Sequence, residues 1–174
     1  MSFPRDMFLG EGTFSIGAAL TTSALVDIGA VRGGGVFRVE RTYRKREADG
    51  DFGWVKGRIA IDEETATLTI RALEMYSSNL AMFYPGMMSS AGANLTTIKS
   101  NLVIADGDYT KVRFTGRTNG GNAVQVTLDN AINMSPLNWE FLDKNEVVSE
   151  LIFTACSLEA TTTVPSWDVT IATT

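Results

Sequence analysis

The chain has 174 residues, of which 44% are hydrophobic and 20% charged, and its formal net charge is −5. This length and apolar content are typical of one folded domain and exclude a chain that is disordered throughout. The acidic balance argues against tight binding to a phosphate backbone, which depends on clustered Lys and Arg. No apolar run approaches a membrane span, and the N-terminus lacks the layout of a signal peptide. We therefore expect a single domain, residues 1–174, without membrane contact.

The sequence supplies few groups for catalysis or metal binding. It has no histidine and one cysteine, Cys156, which excludes a histidine triad, a histidine metal site and an intrachain disulfide. We expect Cys156 to be a small buried side chain. Gly33, Gly34 and Gly35 precede a predicted strand and not a helix, which is the wrong order for a phosphate loop. No catalytic residue, metal ligand or cofactor is predicted, and the protein is not expected to be an enzyme.

The N-terminal part of the chain predicts an arm and then a flexible entry into a strand. Residues 1–12 mix large apolar side chains with Pro4, Gly10 and Gly12, a composition that favours an ordered arm of the kind that docks on a neighbour. The three glycines at 33–35 then supply backbone freedom. We expect a strand to begin directly after them.

The next segment predicts a long hairpin with a charged tip. Residues Val36 to Arg44 alternate, with Phe37 and Val39 on the more apolar face. Asp49 and Gly50 form a strong turn signal, and Val55 to Ile61 resumes the strand pattern. The tip, residues 45–53, carries charges of both signs. Such a tip suits contacts with another protein, because complementary charges on the two surfaces fix how they align. Its charged residues are Lys45, Arg46, Glu47, Asp49 and Asp51.

The rest of the chain predicts further strands and one short helix, so the fold class is mainly β. Thr65 to Leu73 alternates as a half-buried strand, and a helix of about two turns follows, with Ser77 or Ser78 as its N-cap and Pro85-Gly86 as its stop. Turn signals at 106–108 and 119–121 separate later strands. These strands are predicted at Thr97–Ile104, Tyr109–Arg117, Ala123–Leu128, Val147–Ala155 and Trp167–Ala172.

Several short segments follow one another in a consistent order from residue 27 to residue 169. They include Asp27–Gly34, Phe37–Arg41, Val55–Arg58, Ala66–Ile70, Leu73–Met75, Asn79–Leu80, Pro85–Gly86, Ser149–Thr154 and Pro165–Val169. In this order the chain resembles the major tail proteins, or tail tube proteins, of long-tailed bacteriophages. Residues 89–145 match this pattern less closely, and Ala155-Cys156-Ser157 departs from it.

The resemblance implies a structural virion protein with a β-sandwich or partial barrel and one short flanking helix. Six copies would close a ring, and the rings would stack into a tube whose strands form one large β-barrel. Viral DNA would pass transiently and non-specifically through the tube on ejection into the host. Tape measure, terminator and distal tail proteins would be partners, and assembly would take place in the host cytoplasm.

Two sets of residues are candidates for contacts in such an assembly. We expect the hairpin tip, residues 45–53, to touch the next ring, while residues 1–12 and the C-terminal strand help to lock neighbours together. Polar strand faces are candidates for the lumen lining. The alternative is that the same faces lie on the outer, solvated surface. The candidate lining residues are Arg38, Glu40, Thr42, Thr67, Thr69 and Arg71, followed by Gln125 and Thr127.

A different class of function stays open, because fold class alone does not fix function. A β-sandwich adhesin or carbohydrate-binding module would present exposed aromatic side chains as a platform. Trp54, Trp139 and Trp167 could supply one. Their scatter along the chain favours packing in a core or an interface instead.

Overall fold

The structure of the protein is a computed structural model. It describes residues 8–20, 25–46, 53, 56–74, 80, 82–91, 96–141, 143–144, 146–157 and 166–172. Within these residues the chain forms ten strands and a 3-10 helix at Asp106–Asp108. The strands are β1 (Phe8–Ala18), β2 (Val26–Asp27), β3 (Val31–Lys45), β4 (Ile59–Ala72), β5 (Met87–Ala91), β6 (Thr96–Ser100), β7 (Thr110–Thr118), β8 (Ala123–Asn133), β9 (Ser149–Ala155) and β10 (Trp167–Ile171). The prediction of a mainly β chain is confirmed.

Eight strands form one large antiparallel sheet, and β5 pairs with β6 in a separate hairpin. The order in the large sheet is β2-β1-β7-β8-β9-β4-β3, with β10 beside β8. Strand β8 changes partners along its length: it pairs with β10 over residues 124–128 and with β9 over residues 131–133. β8 therefore joins the part of the sheet that contains β1 and β7 to the part that contains β3 and β4.

The sheet folds over so that its two parts enclose the core. Phe14 of β1 packs against β3 so closely that a Cβ on Gly35 would lie 2.6 Å from the Phe14 ring. The backbone of β3 can approach at this point because Gly35 has no side chain. Large side chains that are completely or almost completely buried come from both parts of the sheet: Phe14, Ile16, Val112, Leu128, Leu68, Ile70, Leu151 and Phe153.

The alternation predicted for Thr65 to Leu73 is confirmed, but this segment and the predicted return strand of the hairpin, Val55 to Ile61, form one continuous strand, β4, which begins at Ile59. Ala66, Leu68, Ile70 and Ala72 of β4 are all buried, whereas the residues between them are half-buried or exposed. Successive side chains of a strand point to opposite faces, so one face of β4 lies on the core. Phe37 of β3 lies opposite Leu68 and packs against the same core.

The start of β3 differs from the prediction that a strand begins after the three glycines. The strand begins at Val31, which pairs with Ala72, and pairing resumes at Gly35 opposite Ile70. Three residues of β3 therefore face one residue of β4. Gly33 and Gly34 absorb this excess with φ angles of 75° and 74°, which side chains disfavour and glycine tolerates.

Two predicted turns have different outcomes. At residues 119–121 the expected hairpin is confirmed: the Gly121 N–H donates to the Thr118 carbonyl at 2.9 Å, with Gly121 at φ 86°. At Asp106–Asp108 the chain forms a 3-10 helix, and the Asp108 side chain accepts a hydrogen bond from the Ala105 N–H at 2.8 Å. The Asp-Gly-Asp sequence at residues 106–108 is compatible with a hairpin turn and with a 3-10 helix, because an aspartate carboxylate accepts hydrogen bonds from nearby backbone N–H groups in either case.

The predicted helix is described only in part. Leu80, Met82 and Phe83 have helical geometry, and the Tyr84 N–H donates to the Leu80 carbonyl at 3.2 Å, four residues back. Phe83 is fully buried, so this helical turn packs on the core. The proposed caps at Ser77 and Ser78 lie outside the described residues.

Candidate assembly interface

The β3–β4 hairpin extends beyond the rest of the sheet. Strand β4 pairs with β9 only from Thr67 to Ala72, whereas its pairing with β3 continues to Ile59. The outer part of the hairpin exposes large side chains: Tyr43 is 52% exposed, Ile59 50% and Ile61 53%. Exposed apolar residues on a protruding element are typical of a surface that another molecule covers.

The hairpin also has an open edge. In the described part of the chain, β3 is hydrogen-bonded to β4 alone, although β3 is fifteen residues long. Strand β10 likewise pairs only with β8 there. A long edge strand presents unpaired N–H and C=O groups to any strand that can align with them.

The six predicted lumen residues lie on one face of the hairpin. Arg38 is opposite Thr67, and Thr67 is in turn opposite Thr154 of β9. Arg71 is opposite Glu150 on the same face. The three candidates on β3 are exposed, and Thr67 and Thr69 on β4 are half-buried. The structure therefore brings together Arg38, Glu40, Thr42, Thr67, Thr69 and Arg71.

This face, which we call the polar face, carries paired charges. Arg38 forms an ion pair with Glu40, and Arg71 Nε lies 3.3 Å from Glu150 Oε2. All four side chains are more than half exposed, so each pair contributes little to stability and is screened by salt. In these pairs two cations balance two anions, Glu63 opposite Thr42 adds a further carboxylate, and the threonines between them are uncharged. The polar face can be wetted but has no excess positive charge with which to hold phosphate.

Gln125 and Thr127 lie elsewhere on the folded sheet. They are opposite Thr115 and Arg113 of β7, and the Arg113 Nε donates to Thr127 Oγ1 at 3.4 Å. Strand β8 pairs with β7 and β10 at these positions, so the two residues are not part of the polar face of β3 and β4.

The opposite face of the hairpin is tied to the C-terminal strand through Glu64. The carboxylate of Glu64 forms an ion pair with Arg41 and accepts a hydrogen bond from the Trp167 indole at 2.7 Å. The Trp167 ring packs against Phe37 with 5.6 Å between ring centroids. The hydrogen bond from Arg41, then the hydrogen bond from Trp167 and, to a smaller extent, the charge of Arg41 lower the pKa of Glu64. Sequence reasoning missed this link, because Glu64 and Trp167 are 103 residues apart.

The predicted hairpin tip is described only at its base. Lys45 is the last residue of β3, and the Arg46 N–H donates to the Arg58 carbonyl at 2.8 Å, which continues the pairing by one step. Glu47, Asp49 and Asp51 lie outside the described residues. Their predicted role in contacts between rings therefore stays a prediction.

The side chains described do not assemble a metal site. In the ranges given above, no group of three or more Asp, Glu or Cys residues is placed to hold a metal ion. Cys156 is half-buried, and burial raises the pKa of its thiol, which disfavours the reactive thiolate. Among the same residues, no helix has the length and apolar character needed to cross a membrane.

No protein-family model matches the chain, and no curated protein matches its sequence.

Proposed function

We propose that this protein is a structural virion subunit of a bacteriophage tail tube. Copies assemble as hexameric rings that stack into the conduit for DNA ejection. The protein acts by self-assembly and not by catalysis. It is assembled in the host cytoplasm and resides in the virion tail, where tape measure, terminator and distal tail proteins are its partners.

The observation that carries the proposal is the protruding hairpin with an open edge. A monomer that left a fifteen-residue edge strand uncovered would be prone to uncontrolled pairing. Identical copies remove this hazard when each edge pairs with a neighbour and the ring closes. The folded sheet of one subunit is then a partial barrel, flanked by the helical turn at residues 80–84, and its hairpin contributes strands to the larger barrel around the lumen.

The polar face supplies a suitable lumen lining. Threonine hydroxyls and balanced ion pairs keep the surface hydrated, and the net charge of −5 disfavours adhesion of DNA phosphates. A duplex can then move through the tube without being held. A side-chain-resolution reconstruction of the tube would test this orientation, and a lumen lined by other residues would contradict it.

The hairpin tip is proposed to contact the next ring. Deleting residues 47–51 should leave the subunit folded, because the paired part of the hairpin is retained, but should abolish polymerisation. Circular dichroism reports the fold, and sedimentation velocity reports the assembly. As a control, Asn119→Ala alters an exposed residue in the β7–β8 turn and should assemble normally. Tubes of normal length from the deletion variant would contradict the role of the tip.

The alternative of an adhesin or carbohydrate-binding module is less well supported. Trp167 is half-buried between Phe37 and Glu64, and Trp54 lies outside the described residues. Trp139 is 37% exposed, but its indole N–H is bonded to Ser149 Oγ. Among the described residues, Trp139 and Trp167 lie in different settings and do not together form the platform of tryptophans that the sequence suggested.

A further inference from the structure

A pocket opens between β1 and β10, where the two parts of the folded sheet face each other. Its volume is about 340 Å³, more than twice the roughly 150 Å³ of an engineered cavity that admits benzene. Gly10 of β1 and Val169 of β10 lie on its wall and are both exposed, so the pocket has a mouth at the surface. The lining is largely apolar and includes Phe14, Phe37, Leu68, Phe114, Val126 and Val169. An apolar side chain would therefore fill this pocket better than water does.

The chain that leads into β1 reaches the sheet beside this mouth. Residues 1–7 precede β1 and lie outside the described residues, and their large apolar side chains are Met1, Phe3 and Met7. Gly10, which lines the pocket, is three residues beyond Met7. A Cβ on Gly10 would meet no described atom within 4 Å, so there is open space beside the strand here. A segment with apolar side chains thus enters the fold at an open apolar pocket.

The segment is long enough to cross the mouth from β1 to β10. Phe8 pairs with Thr118 at the end of β7, the Thr118 N–H donates to the Asn122 carbonyl, and the Ala172 N–H donates to the Ala123 carbonyl. The start of β1 and the end of β10 are therefore three strand spacings apart, or about 14 Å along the sheet. The five residues from Phe8 back to Phe3 span about 16 Å when extended. Phe3 can thus reach the far wall of the pocket.

The local sequence suits such a crossing. Pro4 restricts the residue before it to extended backbone, which keeps the chain at Phe3 stretched out. A phenylalanine ring is also of the size that the pocket can hold. Attachment to β1 through a few residues gives the ring an effective concentration on the order of millimolar at its own pocket. The segment of the same chain therefore outcompetes that of a free copy at micromolar concentration.

We propose that residues 1–7 fold back over the mouth of the Phe14–Phe114–Val169 pocket in their own chain, with Phe3 inserted as an aromatic anchor. The segment then acts as a strap that closes this end of the core. It also covers an apolar opening through which subunits would otherwise associate non-specifically. The sequence-based expectation that this arm docks on a neighbour is the alternative that an experiment must separate.

Photo-cross-linking separates the two arrangements. A chain with benzoylphenylalanine in place of Phe3 is mixed with an excess of isotopically labelled wild-type chain and irradiated. Mass spectrometry should find links to unlabelled peptides of the probe-bearing chain that contain Phe14, Val126 or Val169. The same probe at Leu102, which is 93% exposed, is the control and should not link to these peptides. Links from residue 3 to labelled pocket peptides would assign the pocket to a neighbour's arm, and links elsewhere would leave the pocket without this occupant; either result overturns the inference.

A cavity-rescue experiment tests the occupant by a second route. Phe3→Ala should lower the melting temperature by on the order of 5 °C, because a buried aromatic ring is lost, whereas Ser2→Ala should leave it unchanged. Benzene should then raise the melting temperature of Phe3→Ala and not that of the wild type, whose pocket is already filled. Equal melting temperatures of the two variants, or equal effects of benzene on Phe3→Ala and the wild type, would overturn the inference. Both experiments read contacts within one chain, so their results do not depend on the proposed assembly into tubes.

Discussion

At the scale of single residues, Glu64 connects two parts of the molecule that the proposed assembly uses. It holds Arg41 on the neighbouring strand of the hairpin and accepts the indole N–H of Trp167 on the C-terminal strand. Glu64 therefore helps to position the hairpin relative to β10, together with the packing of the Trp167 ring on Phe37. Because Glu64 lies near the surface, the link orients the hairpin more than it stabilises the fold.

The ionisation of Glu64 should show this link. The Arg41 guanidinium lowers the pKa of Glu64 below the ordinary value of 4.5, so the stabilising contribution is present above pH 4.5 and is lost as the pH falls through the lowered pKa. Titration of the Glu64 carboxyl by NMR should give a pKa below 4.5 in the wild type and a value closer to 4.5 in Arg41→Gln. Arg44→Gln, which removes the partner of Asp62, is the control and should leave the Glu64 titration unchanged. An identical pKa in the wild type and Arg41→Gln would contradict the link.

The sequence predicts the polar face better than it predicts the residues that fix the fold. Arg38, Thr67 and Arg71 share a face because strand alternation has a period of two, which can be counted from the sequence. Asn133 joins the turn at Phe83 to β9 by accepting the Ile152 N–H at 3.1 Å, and nothing near Asn133 in the sequence indicates these partners. Long-range hydrogen bonds depend on topology, which local patterns do not specify.

At the scale of elements, strands with a clear alternation of apolar and polar residues were predictable and the others were not. The patterns predict β3, β7, β8, β9 and β10, predict β4 as two separate strands and β6 in part, and miss β1, β2 and β5. The sequence predicts an arm at residues 1–12, but residues 8–12 belong to β1, where a Cβ on Gly12 would lie 2.4 Å from the Phe114 ring. Gly12 is therefore required by packing against β7 and not by a turn, a distinction that needs the folded structure.

Gly35 provides a test of how the sheet folds over. Gly35→Ala would place a Cβ 2.6 Å from the Phe14 ring and 2.8 Å from the Thr69 carbonyl oxygen, so β1 and β3 must separate. We expect a loss of about 1–3 kcal/mol in the free energy of unfolding, measured by urea denaturation. Gly10→Ala, which meets nothing within 4 Å, is the matched control and should change stability by less than about 0.5 kcal/mol. Equal effects of the two substitutions would contradict the close packing of β1 on β3.

At the scale of the whole molecule, the core is enclosed, whereas the β3 edge of the sheet has no partner strand among the described residues. Both parts of the sheet bury large apolar side chains, so we expect the subunit to fold alone. The hairpin nevertheless carries an open edge among the described residues, a polar face, and exposed apolar residues beyond the region that pairs with β9. The proposed pairing of identical copies edge to edge would account for these features together.

Electron microscopy of the purified protein at increasing concentration tests directly whether identical copies assemble into rings and tubes. If the open edge of β3 is completed by identical copies, negative-stain images should show six-fold rings at low concentration and hollow tubes of stacked rings at high concentration. Dispersed monomers at every concentration, from protein shown to be folded by circular dichroism, would contradict it.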